Sequence, residues 1–406
     1  MGNTFGFEVV CTGESPLPDS RGCPDFAVHV SGLLAGYVEP KAPGKGAIGA
    51  RFRGHDRKQF KRFSAIPNIL YADGNEWALY RSGQRFGRSA RLSGDVTQDG
   101  HRAATASDAA AIKRLVEKFL RWQPKPPVNG SGNVDLKAFA EQLVPLCRLL
   151  RDDVAETIQV PGSPLAEFKR DWSQLLFPEA SDKQFADAYA QTVTFALLLA
   201  RAEGADPLTL ASAQNHLVSS YSLLARVLHV LTDVLAYRGA REALSASIDL
   251  LMRVVGVVPA GSLSGAPDPW LYFYEDFLAA YDSKLRKNAG VSYTPVEVVR
   301  AQVRLIDDPL VTCLGKPLGF AAPDVVTLDP AAGTGTYLLG VIVHALARVR
   351  REQGEGAVPG HATSVAESLY GFELMVGPYA VAQLRVTRAL QEFGATPSAS
   401  RSPTSI

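Results

Sequence analysis

The sequence predicts an α/β chain of several domains, and three observations carry that prediction. Residues 1–90 have strand character, apolar residues recur at helical intervals over 100–265, and near residue 330 a short apolar run enters a glycine loop and then a helix. At 406 residues the chain has room for two or three domains, each with its own core. A hydrophobic content of 46% and a charged content of 20% are ordinary for soluble globular protein.

Net charge narrows the function classes. At +1 there is no chain-wide basic field, so a nucleic-acid surface has to be a local patch. Cys11, Cys23, Cys147 and Cys313 show no C-x-x-C spacing, which argues against a zinc site and a disulfide framework. With no signal peptide and no uncharged apolar run of about 18 residues, the expectation is a cytoplasmic protein with no membrane partner.

In chain order, Asp25-Phe26-Ala27-Val28-His29-Val30 alternates, and Leu34 to Lys41 makes a second strand after a turn at Ser31-Gly32. DRKQFKRFSAI has helical spacing, and NILYADGNEWALYRSG reads as a hairpin turning at Asp73-Gly74. Asp25, thirteen residues, then Glu39 and Lys41 place two carboxylates and an ammonium near the middle of the first hairpin. Hard divalent cations such as Mg²⁺ take carboxylate oxygens, and a lysine beside them can stabilise a phosphate under attack. The alternative is a hairpin whose wet face simply carries acids and lysines. The spacing resembles that of the PD-(D/E)XK nucleases, and Gln59 with Phe63 one helical turn on resembles their Gln-x-x-x-Tyr element. The hairpin that follows is similar to the segment after this nuclease core in fused restriction-modification proteins. The resemblance implies a PD-(D/E)XK-like domain over 1–95, with Asp25 and Glu39 as Mg²⁺ ligands and Lys41 and Gln59 as catalytic partners. One departure is that nothing helical precedes residue 8, where such nucleases carry a helix with a further acid.

Residues 100–265 read as a helical connector, with segments such as AAAIKRLVEKFLRWQ and FADAYAQTVTFALLLARAEG. His216 and His229 are expected to be packing or surface residues. Trp270 to Tyr274 is expected to pack in a core rather than stack on bases, and Lys284, Arg286 and Lys287 are expected to form a solvated face, with phosphate contact as the alternative.

The last third carries the most informative stretch. Val325 to Asp329 is strand-like, Pro330 to Gly335 is a loop with glycines at 333 and 335, and Tyr337 to Val349 is helical. Glycine accepts positive φ and leaves no Cβ in the way, so a nucleotide-like ligand can lie against free N–H groups at the helix start. Glu373 ends a second strand, SLYGFEL, where an acid can hydrogen-bond ribose hydroxyls. Upstream, Thr294 is expected to cap an amphipathic helix with Pro295 in its first position.

AGVSYTPVEVV, DPAAGTGTYL and GFEL, in that order, resemble the gamma-class adenine-N6 DNA methyltransferases, with Ala332 where the family usually has cysteine. The resemblance implies a partial Rossmann-like sheet over 266–394 that binds S-adenosylmethionine. The residues it points to are Tyr293, Thr294, Pro295, Asp329, Pro330, Ala331, Gly333, Thr334, Gly335, Thr336, Glu373 and Leu374. Asp329 would lie beside the amino group and Glu373 would take the ribose. No Asn-Pro-Pro-Tyr-like tetrapeptide, which in the family holds the flipped adenine, occurs in the sequence, and 395–406 reads as a disordered tail. The expectation is the N-terminal portion of a restriction-modification enzyme of fused (type IIG or type ISP-like) kind acting on double-stranded DNA. A downstream chain would carry the rest of the methyltransferase and the target-recognition domain. The alternatives are a non-catalytic S-adenosylmethionine- or DNA-binding subunit of a split phage-defence enzyme, and a nuclease gated by the cofactor.

Overall fold

The computed structural model describes residues 6–395 apart from 7, 14–23, 31–32, 176–179, 219–223, 226–227, 230, 233–234, 236–237, 264–268, 282–293 and 374. The chain divides into two compact units, one of residues 1–126, 145–187 and 232–258, the other of 127–144, 188–231 and 259–406. In that division the helices of 100–265 fall partly in one unit and partly in the other. These helices carry apolar faces that need a partner, and they are shared between the two cores. Among the described residues no helix is long and apolar enough to cross a membrane.

The first unit is built on a mixed sheet of β1 (Val9–Gly13), β2 (Phe26–Val30), β3 (Leu33–Pro40), β4 (Ile69–Ala72), β5 (Glu76–Arg81) and β6 (Gln84–Arg85) in that order, with β7 (Ala90–Arg91) also on β5. β1, β2 and β3 are antiparallel, whereas β3 and β4 are parallel with Glu39 opposite Tyr71. A parallel pair needs a crossover, and α1 (Gly54–Phe63) lies in it. The β4–β5 hairpin turns at Asp73-Gly74 as the sequence predicts. Asp73 Oδ1 accepts from the backbone of Asn75 and Glu76, at 3.0 and 2.7 Å, and Gly74 has φ +90°.

One sheet face packs on α2 (Ala106–Leu120), whose Leu115, Val116, Phe119 and Leu120 join Val28, Leu70 and Leu79 in a core. Asn68 ties the layers together. Its buried amide donates to Ala35 O at 2.7 Å and to Phe119 O at 3.0 Å. Strand β1 extends the sheet beyond the two hairpins legible in the sequence.

The second unit holds α9 (Val296–Thr312), β8 (Thr327–Asp329), α10 (Thr336–Gln353), α11 (Val358–Ser368), β9 (Leu369–Gly371) and α12 (Val376–Glu392), preceded by α8 (Pro269–Tyr281). The other helices of eight or more residues among the described residues are α3 (Leu136–Thr157), α4 (Pro164–Leu175), α5 (Asp182–Ala202), α6 (Leu210–Leu217) and α7 (Arg238–Gly256). β8 and β9 run parallel, pairing Thr327 with Leu369 and Asp329 with Gly371. Leu338, Ile342, Ala345, Leu346 and Val349 of α10 bury against Val299, Val303, Val365 and Val386. The long interval between Asp329 and Glu373 is filled by α10 and a second helix, α11. That helix opens Val-Pro-Gly, which hides its period in the sequence.

Two expectations are corrected here. Helix α9 starts at Val296 with Pro295 as its N-cap and no side-chain capping bond, so Thr294 precedes the helix and does not cap it. Pro295 has φ −52° and ψ 136°, outside the helical range, so the helix begins one residue later. Trp270, Phe273 and Tyr274 are buried, as core packing requires. Tyr293, Leu374, the basic residues 284–287 and the tail from 396 lie outside the described residues.

Candidate functional site

The two candidate sites lie in separate units. In the first, Asp25 and Glu39 stand at the open end of the β2–β3 hairpin, away from its turn. The expectation that they flank the hairpin's middle is thereby corrected, because the register pairs Phe26 with Val38 and Val30 with Leu33. Glu39 is 2% exposed and accepts the Asp25 backbone N–H on Oε2 at 3.3 Å. Lys41, two residues on and so on the same strand face, places Nζ 2.9 Å from Glu39 Oε1 and donates to Gln59 Oε1 from α1. Asp25, Glu39, Lys41 and Gln59, separated by up to 34 positions in the sequence, are thus brought together.

The sequence did not single out three further contributors. Asp56, one turn ahead of Gln59 on α1, lies 3.5 Å from Lys41 Nζ and 2.7 Å from Lys45 Nζ. Phe52 and Tyr71 each present a ring centroid 5.8 Å from the Lys41 ammonium. Burial pushes the Glu39 carboxyl up, against the pull of Lys41 and with a smaller push from the Asp25 charge. Partial burial pushes Asp25 up as well, again opposed by Lys41. Among the described residues no group of three or more His, Cys, Asp or Glu side chains is gathered to hold a metal. Asp25 meets Glu39 here through its backbone N–H.

The second site forms where β8 and β9 end side by side. Phe372 N donates to Asp329 O at 2.8 Å and Ala332 N donates to Phe372 O at 2.9 Å, which continues the pairing into the loop. Gly333 has φ +55°, and Gly335 has φ +78° as the N-cap of α10. Glu373 clasps the loop, with Oε2 accepting Gly333 N–H at 2.9 Å and Oε1 accepting Met375 N–H at 2.7 Å. A carboxylate offers about four lone-pair sites, so two remain for a ligand. From the other side Arg385 of α12 donates to the Thr334 carbonyl, with Thr334 Oγ1 3.2 Å and Thr336 Oγ1 3.3 Å away.

Asp329 supplies the decisive polar atom. Its Oδ1 accepts from Ala331 N–H at 3.1 Å, but Oδ2 is buried with no hydrogen-bond partner, and burial pushes the carboxyl up. A buried acceptor without a partner costs free energy unless a ligand satisfies it. Tyr274, 99 positions before Glu373, has a second unpaired buried hydroxyl, and its phenol is pushed up by burial and then by the Glu373 charge. The Asp329 acceptor and the glycine cradle fit a ligand with an ammonium and a hydroxyl-bearing sugar. Neither Arg385 nor Tyr274 carries a local sequence signal, because Arg385 reaches the loop, and Tyr274 the first turn of α12, only through helix packing.

Residues 270–387 match the family model described as N-6 DNA Methylase. The matched stretch takes in Asp329, the glycine loop, Glu373 and Arg385. No curated protein sequence matches the chain significantly. Similar solved structures include a DrdV–DNA complex determined by cryoEM, at 16% identity and TM-score 0.45 over 97% of this chain. The ATP-dependent Type ISP restriction-modification enzyme LlaBIII bound to DNA gives 17% identity and TM-score 0.45 over 65%. A nuclease-deletion mutant of the Type ISP enzyme LlaGI, in complex with a DNA substrate mimic, gives 17% identity and TM-score 0.42 over 72%. The chain spans 35%, 17% and 22% of the lengths of those three chains, respectively.

Proposed function

We propose that residues 266–394 are the cofactor-binding half of a gamma-class DNA methyltransferase of the restriction-modification kind, which transfers a methyl group from S-adenosylmethionine to adenine N6 in double-stranded DNA. The observation that carries this reading is the Glu373 clasp on Gly333 beside the unpaired Asp329 Oδ2. S-adenosylmethionine supplies the electrophilic methyl group. The chain's part is to hold it, with Asp329 accepting from the amino group, the 333–336 loop flanking the methionine end, and the free lone pairs of Glu373 accepting from the ribose. Tyr293, Thr294, Pro295 and Leu374 belong to the same proposal through the family resemblance. No Asn-Pro-Pro-Tyr-like tetrapeptide for the adenine occurs in these 406 residues. Apolar Val326 and Leu328, 68% and 52% exposed at β8, and Leu305 and Ile306 of α9 line an open cavity of about 720 Å³, an apolar surface of the kind a further segment or partner covers.

Titration calorimetry of the full chain with S-adenosylmethionine tests the reading. Weak binding is expected, and Glu373→Ala should weaken it by about 1–3 kcal/mol, the cost of leaving polar partners unpaired. Absence of binding at millimolar cofactor by a folded chain would overturn it. Without a pocket to repay base extrusion, the chain alone is expected not to methylate DNA, and methyl incorporation above a no-enzyme blank would refute that. A non-catalytic subunit of a split defence enzyme would bind the cofactor but stay inactive even with the downstream chain added.

The Glu39–Lys41–Gln59 cluster favours a second activity, Mg²⁺-dependent cleavage of DNA by a PD-(D/E)XK-like domain in the first unit. Asp25 and Glu39 would hold the cation, Lys41 would face the scissile phosphate, and Gln59 would position Lys41. Cleavage should require Mg²⁺ or Mn²⁺ and vanish in Asp25→Ala, Glu39→Ala and Lys41→Ala alike.

A further inference from the structure

The first unit has a concave feature that neither proposed activity uses. An open cavity of about 960 Å³ lies between α1 and the β5–β6 hairpin, with Phe60 and Tyr80 among its lining residues. Four cations, Arg53, Arg57, Lys61 and Arg85, surround it, and none of its lining residues is acidic. Arg57 and Lys61 are four positions apart and so share one side of α1, and Arg53 stands just ahead of them as the extended residue at the helix start. Arg53 Nη1 donates to the carbonyls of Ala50 and Phe52, at 3.1 and 3.0 Å, which orients the guanidinium without cancelling its charge. Among the described residues Arg57, Lys61 and Arg85 make no ion pair, whereas Arg51 and Arg62 nearby do.

Elsewhere on this helix acids are neutralised locally, as Asp56 is by Lys45 and Lys41. Four uncompensated cations around a concavity therefore make a focused positive potential in a chain whose net charge is only +1. Four residues of α-helix advance about 6 Å. One DNA strand presents a phosphate about every 3.4 Å along its axis, so the ladder meets roughly every second phosphate. That interval fits a run of phosphates better than one small anion. The same helix turns Gln59 and Asp56 toward Lys41, so a backbone held in the cavity lies one helix face away from the carboxylate cluster.

We propose that this cavity seats the sugar–phosphate backbone of duplex DNA, with Arg57, Lys61 and Arg85 as sequence-independent phosphate contacts and Arg53 as a fixed fourth. The anionic chemistry follows from the cavity itself. The choice of DNA as occupant rests on the proposed function.

Binding of a labelled duplex of about 30 base pairs to the full chain tests this, read by fluorescence anisotropy over a series of salt concentrations in EDTA so that nothing is cleaved. The triple variant Arg57→Ala, Lys61→Ala, Arg85→Ala should flatten the salt slope by about 2–3 and weaken binding at least roughly tenfold at low salt, since each phosphate contact adds about 0.9 to the slope. The charge-conserving variant Arg57→Lys, Lys61→Arg should bind like the unmodified chain. Removing as many cations elsewhere on the unit, by Arg88→Ala, Arg102→Ala and Arg114→Ala, should leave the slope unchanged. If the unmodified chain binds duplex and the cavity variant keeps its slope, or both triple variants lose it equally, the cavity assignment is overturned while action on DNA stands. If the unmodified chain binds no duplex, or binds only inorganic phosphate, the assignment and the DNA reading fall together.

Discussion

Replacing each loop glycine with alanine separates two costs that the glycine loop carries. Both Gly333 and Gly335 hold positive φ, +55° and +78°, where an L side chain costs about 1–2 kcal/mol. They differ in what a new methyl group meets. At Gly333 nothing lies within 4 Å of the Cβ position, whereas at Gly335 the Cβ of Ala382 is 3.1 Å away and its Cα 3.2 Å. Ala382 is fully buried on α12, so its backbone has nowhere to retreat, and overpacking of this kind adds about 1–3 kcal/mol. Gly333→Ala is therefore expected to destabilise by about 1–2 kcal/mol and Gly335→Ala by about 2–5 kcal/mol. Because the two units need not unfold together, amide hydrogen exchange along α10 is the suitable measurement, with denaturant unfolding as a check. Amides of Leu338 to Val349 should lose clearly more protection in Gly335→Ala than in Gly333→Ala. Equal losses, or a larger loss at Gly333, would refute the account of Gly335 as the point where the loop is pressed onto α12.

Asp307→Asn should destabilise the second unit by about 3–5 kcal/mol in urea unfolding, since Asp307 is 1% exposed and accepts from His344 Nε2 at 2.9 Å, Arg348 Nε at 3.1 Å and Phe320 N at 3.1 Å. Burial opposes its charge, but those hydrogen bonds outweigh it and hold the carboxyl below its usual range, so a loss under about 1 kcal/mol would show the network to be dispensable. In the first unit, burial raises the folded-state pKa of Glu39 above its ordinary 4.5, so without metal the carboxyl's contribution to stability is greatest at low pH and declines as pH rises through the folded value. A bound divalent cation needs the deprotonated form. The Mg²⁺-induced rise in melting temperature should therefore grow with pH above 4.5 and disappear in Glu39→Gln, and a pH-independent rise would count against the site. Asn68→Ala should cost about 1–3 kcal/mol for each of the two carbonyls, Ala35 and Phe119, that it strands, measured by thermal unfolding, and a neutral result would mean that water replaces the amide.

Much of the candidate machinery was legible because its physics is local. Positive φ at Gly333 and Gly335, the acid one strand later, and the alternation of Glu39 and Lys41 on one strand face are properties of neighbouring residues. Short-range periodicity likewise marked the β4–β5 hairpin and the core role of Trp270, Phe273 and Tyr274. The start of α9 was misplaced because a threonine before a proline suits a cap equally well one position earlier, and only the backbone angles of Pro295 decide between them. Helix α11 was hidden by the proline and glycine in its first turn, although its buried Ala362 and Val365 pack as a helix should.

What the sequence by itself determined was the kind of residue at each site: an acid and a glycine turn at the strand ends, and two acids, a lysine and a glutamine around the first hairpin. What only the tertiary structure decided was company. Arg385 reaches Thr334 from 51 positions away, Glu373 closes on Gly333, Asp56 joins Lys41, and Arg85 meets Arg57 across a cavity, because sheet register and helix packing set distances between residues that no short-range spacing constrains. The division of the helices between two cores is of the same kind. An apolar stripe shows that a helix must bury a face, and the choice of which neighbour covers it is made by the whole fold.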